Sequence, residues 1–82
     1  MQEKIISTTE HLYTAVFEPV VMGGFQVTVP IMPGLVTYGR SFEEAQEMAR
    51  DAIVCYIEGL KKDNEEIPHE SGLIHEQIMV SV

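Results

Sequence analysis

The side chains of this sequence with the widest chemical repertoire are three histidines, a single cysteine and a set of methionines, and their spacing decides what they could do. Imidazole binds transition metals and moves protons near neutral pH, but both uses need partners at defined separations. His11, His69 and His75 are scattered along the chain and share no metal-type spacing, so they read as exposed or edge histidines with no assigned role. Cys55 has no second cysteine with which to form a disulfide and no neighbouring cation to activate its thiol, so it reads as a small packing residue. Met22, Met32, Met48 and Met79 read as core or interface filling. Gly34 and Gly39 serve backbone geometry and not phosphate binding, because no helix opens on a G-x-G-x-x-G loop. No catalytic, cofactor-binding or metal-binding residue is expected.

These groups would be positioned by short strands followed by one helix. Residues 1–10 are mixed and polar around Ile5 and Ile6, and read as a frayed terminus or a lead into the first strand. From His11, the run HLYTAVFEP places Tyr13, Ala15 and Phe17 on one face and Leu12, Thr14 and Val16 on the other. Pro19 and the pair Gly23 and Gly24 mark a hairpin connection, after which FQVTVP alternates as a second strand. Pro33 and Gly34 have the chemistry of a type II turn, which leads into a third strand, LVTYG. At Ser41 the period changes to three and four, and Ser41 with Glu44 forms an S-x-x-E capping box. The stripe Phe42, Ala45, Met48, Ala49, Ala52, Ile53, Tyr56, Ile57, Leu60 predicts a helix of about five turns. A charged loop, KKDNEEIPHESG, then leads to IHEQIMVSV, whose alternation predicts a fourth strand. The expected fold is α+β, with order βββαβ, an antiparallel sheet and one helix packed on one face. Residues 1–82 are expected to form one domain, because a chain of 82 residues has room for one core.

Charge narrows the range of partners. Thirteen acidic residues against five basic ones give a net charge of −8, a field that repels phosphate backbones and attracts basic surfaces. Direct nucleic-acid binding is therefore not expected. The hydrophobic fraction of 45% is enough for an ordered chain. With no export signal, no membrane-length apolar run and a lone cysteine, a cytoplasmic location is expected. One helix covers only one face of the sheet, while Val20, Val21, Met22, Ile31 and Met32 add apolar side chains at the turns, so some of this surface is expected to meet another chain. The final strand could pair with its copy, and a homo-oligomer is the expectation.

The stretch from Tyr13 to Pro68 resembles the HicB-type antitoxin domain family. The resemblance is carried by the P-x-x-P-G of Pro30, Pro33 and Gly34, by Gly39, by the S-x-E-E-A of Ser41, Glu43, Glu44 and Ala45, and by the late Ile67 and Pro68, in that order. It implies a partial ribonuclease-H-like sheet with one helix. It also implies a non-enzymatic antitoxin that binds and masks a small basic RNA-cleaving toxin of the HicA type. Many members carry a helix-turn-helix or ribbon-helix-helix module after this domain. None follows here, so promoter binding by this chain is not expected.

A ribonuclease-H-like scaffold raises the question of nuclease activity, which needs carboxylates converging on divalent metals. Glu18 ends the first strand and Glu76 lies on the last, whereas most other acids fall on the helix exterior or in the following loop. No coherent metal site is expected from this distribution. The partner-contact candidates are the turn residues Met22, Ile31 and Met32 and the acidic residues Glu43 and Glu47. The competing readings are an orphan oligomeric domain, a remnant hydrolase or a small-ligand binder.

Overall fold

The alternation predicted for the first half of the chain forms a sheet of three four-residue strands in the computed structural model, which describes residues 11–82. The expectation for residues 1–10 lies outside the described residues. Strands β1 (Val16–Pro19), β2 (Phe25–Thr28) and β3 (Val36–Gly39) make an antiparallel meander with β2 at its centre. Val16, Thr28 and Val36 stand in one row across the sheet, and Glu18, Gln26 and Tyr38 in another. Because strand side chains alternate, both rows share the outer face, while Phe17, Phe25 and Val27 point toward the helix.

The turns follow the residue chemistry. Gly23 and Gly24 have φ of 101° and 84°, values that favour glycine, and the Gly23 N–H donates to the Val20 carbonyl at 2.9 Å. At the second turn the Leu35 N–H donates to the Met32 carbonyl at 3.1 Å with Gly34 at φ 86°, as a Pro-Gly type II turn requires. The Tyr38 hydroxyl ties the first turn to β3 by donating to the Gly23 carbonyl at 2.6 Å.

Helix α1 (Phe42–Lys62) begins where the period changes. The Ser41 Oγ accepts from the Glu44 N–H at 3.0 Å, and Glu44 returns to the Arg40 N–H at 3.3 Å, one residue earlier than in the usual reciprocal box. Glu43 and Glu44 in the first turn and Lys61 and Lys62 in the last match the helix dipole. The helix ends on Asn64 at φ 56°. Its last carbonyls are satisfied by Glu65 N–H to Leu60 O at 2.8 Å and Asn64 N–H to Lys61 O at 3.1 Å, the bond pair of a Schellman stop.

The helix lies chiefly over β3 and β2, and it reaches β1 through Phe17, whose ring centroid stands 4.8 Å from that of Phe42. Two buried groups join the layers. Val27, Ala45 and Ala49 form one, while Val29, Met32 and Leu35 form the other, flanked by Ala52, Ile53, Tyr56 and Ile57 of the helix. Gly39 makes the first contact possible, since a Cβ there would run into the backbone of Ala45. The stripe is only partly covered, with Phe42 and Met48 still 47% and 43% exposed.

The α+β class, the three-stranded meander and the helix agree with the sequence. Among the described residues the fourth strand does not form. Residues 74–82 are exposed and carry no ladder, despite their alternation, because a strand needs a paired edge and this segment runs free of the sheet. The observed strands are also shorter than their alternating runs, since pairing stops where the neighbouring strand turns away.

Candidate protein-interaction surfaces

Glycine-driven reversal between β1 and β2 pushes Val21 and Met22 into solvent, where both are essentially fully exposed. The register places this turn at the end of the sheet from which the helix starts. Phe25 pairs with Gly39, and Gly24 lies against the carbonyl of Gly39 and the Cα of Arg40. Glu18 on β1 and Glu43 and Glu47 on the first turns of α1 are exposed, so this end presents apolar side chains with carboxylates around them. Arg40 is a cation at this end, and Glu44 partly offsets it through a 3.7 Å ion pair.

Ile31 and Met32 lie at the opposite end of β2, so the five expected contact residues do not share one surface. Met32 also drops out on burial. Its side chain is 1% exposed and fills the core against Val29 and Leu35, because the Pro-Gly turn folds it under the sheet. Ile31 is half-buried against the same cluster. A third surface is the outer sheet face, where Val16, Val36 and Tyr38 are 48%, 59% and 43% exposed and no element covers them among the described residues.

A fourth feature lies between the helix and the lead into β1. An open groove of about 580 Å³ lies between Tyr13, Ala15 and Phe17 on one side and Ala49, Ile53 and Ile57 on the other. Arg50 and Gln46 stand at its lining. Its walls are mainly apolar and no residue of 71–82 enters it.

The histidines, scattered in sequence, gather near one another. His11 and His69 face each other with ring centroids 5.4 Å apart, and His75 Nε2 lies 3.2 Å from Glu70 Oε1. All three line a hollow with Tyr13, Thr14 and Glu70. Among the described residues no three His, Cys, Asp or Glu side chains form a metal-holding group. The centre of the cluster is Glu70, whose carboxylate accepts from the Thr14 N–H at 2.6 Å and the Thr14 hydroxyl at 2.7 Å. The Thr14 backbone bond, then its hydroxyl, lower the Glu70 pKa against the opposing cost of burial, and His75 adds to the lowering. Burial, and after it the Glu70 charge, raises the pKa of Tyr13, whose hydroxyl donates to the Pro68 carbonyl at 2.7 Å. The residues that clip the post-helix loop to the lead of β1 were not singled out in the sequence. The only signal was Ile67 and Pro68, an apolar interruption of a charged loop.

A family model described as the HicB-like antitoxin of bacterial toxin–antitoxin systems matches residues 13–80. Antitoxin HicB 1 of Photorhabdus laumondii is 45% identical over 56 residues, covering 68% of this chain and 36% of that protein. A UPF0150 protein of Thermoplasma acidophilum is 41% identical over 60 residues, covering 73% of this chain and 87% of its own length. A UPF0150 protein of Synechocystis is 32% identical over 62 residues, covering 76% and 78%. The chain thus spans about a third of the named antitoxin and most of the two short relatives.

Proposed function

Because this chain belongs to the HicB-like antitoxin family, we propose that it binds a small basic, RNA-cleaving toxin of the HicA type in the cytoplasm and masks it without chemistry of its own. The observation that supports this reading is the end of the molecule where exposed Val21 and Met22 sit among Glu18, Glu43 and Glu47. A basic nuclease surface is built to hold phosphates, and carboxylates spaced over an apolar patch compete for the same place. The apolar side chains supply the desolvated centre of the contact and the acids its orientation and encounter rate.

The test is co-purification with the small basic protein encoded next to this gene, followed by an RNA-cleavage assay. Binding with loss of cleavage supports the reading, and a toxin that neither binds nor is inhibited overturns it. Within the complex, Met22→Lys combined with Glu43→Lys should weaken affinity by at least about tenfold, equivalent to about 1.4 kcal/mol. Self-association is the second part of the proposal. It is supported by the open groove beside β1, which no residue of 71–82 enters, and by the exposed apolar side chains of residues 73–82.

A further inference from the structure

The chain after the helix is held down and then released. Thr14 and Tyr13 clamp Glu70 and Pro68 beside the lead into β1, and immediately afterwards the Leu73 N–H donates to the Glu70 carbonyl at 2.9 Å, with Gly72 at φ 86°. This tight turn steers the following residues off the body. Ile74, Ile78 and Val80 are 89%, 75% and 73% exposed, and the molecule measures 62 Å along one axis against 32 and 30 Å along the others. Its radius of gyration of 16.5 Å exceeds the roughly 11 to 12 Å of a compact chain of this length.

We infer that residues 74–82 of one copy dock as an added strand along the free edge of β1 of a second copy, with Ile74, Ile78 and Val80 seated in the groove between β1 and α1. This rests on the self-association part of the reading above and specifies its mode. Four observations converge on that occupant. β1 is an outer strand whose second edge has no partner among the described residues, so its backbone groups there, apart from Pro19, which has no N–H to donate, are open to pairing. The groove beside that edge is apolar on both walls, and the projecting segment carries apolar side chains at every second position but Glu76. Arg50 lines the groove and makes no ion pair among the described residues, which gives Glu76 a complementary charge. Nine extended residues span about 30 Å, more than enough to follow β1 (Val16–Pro19), beyond the lead where the Thr14 N–H is already held by Glu70.

Each copy holds both the strand and the groove, so a two-fold dimer satisfies the two exchanges at once and closes. The exchange supplies the fourth strand that the alternation predicts and covers the half-exposed flank of the helix. It also leaves the Val21 and Met22 end at the far side of β1 free for another partner.

Two measurements test it on the full chain. Light scattering at the highest soluble concentration should give a dimer, and mixed isotope-labelled samples should show intermolecular NOEs from the Ile78 and Val80 methyls to Phe17 and Ile53. Ile78→Glu with Val80→Glu should yield a monomer with an unchanged helical spectrum, since neither side chain touches the core of its own chain. A monomeric native protein overturns both self-association and the exchange. A dimer lacking those NOEs, or one that persists in the double variant, overturns the exchange alone, as do the same NOEs arising within a single chain.

Discussion

Ser41 holds the helix start through one hydroxyl, and its Oγ is the acceptor seen for the Glu44 N–H. Ser41→Ala should lower stability by about 1 kcal/mol in urea unfolding, with the m-value unchanged. Gly39 works by what it lacks. Gly39→Ala inserts a methyl against the Ala45 backbone, and moving helix from sheet should cost about 1–3 kcal/mol. Glu70 contributes through charge. Its pKa is depressed in the folded state by the two Thr14 bonds, so its stabilisation is complete above the ordinary glutamate value and is lost as pH falls through the lowered one. The stability gap between the native protein and Glu70→Gln should therefore be constant near neutrality and narrow as pH falls below about 4.3, the ordinary glutamate pKa, which urea titrations at stepped pH would measure. Ser41 and Gly39 could be read from spacing and residue type. Glu70 could not, because its partner is Thr14 and nothing local joins a loop carboxylate to a threonine more than fifty residues away.

Helix α1 was legible because a capping serine, a three-and-four stripe and terminal charges all agree. The strands were legible as alternation but not in their lengths, which depend on where a neighbour stops pairing. Residues 74–82 behave otherwise. Their period of two is a side-chain pattern that suits a sheet, but the edge that would pair with them lies elsewhere in the fold. The same reasoning accounts for the contact candidates. Met22 and Ile31 are both turn residues beside apolar neighbours, and only the register shows that they lie at opposite ends. Within the helix, Gly59 has open space where a Cβ would stand, so Gly59→Ala should raise stability by about 0.5–1 kcal/mol through lost unfolded-state freedom, visible as a higher urea midpoint.

A charge of −8 on so small a body sets the long-range behaviour of the whole molecule. Association with a basic toxin should be fast at low salt and slow markedly as salt rises, with dissociation changing much less, a pattern that stopped-flow mixing across ionic strengths would reveal. Masking by shape alone would leave the association rate flat. The same molecule is divided into a three-strand and helix body and an exposed segment, and Glu70 sits at their junction. The Thr14 amide lies outside the sheet ladder, yet its proton is held by a carboxylate from the loop after the helix. In deuterium-exchange measurements that amide should behave as a buried one, exchanging slowly while Glu70 is ionised and rapidly once it is protonated, so a single amide reports whether the loop after the helix is still fastened to the body.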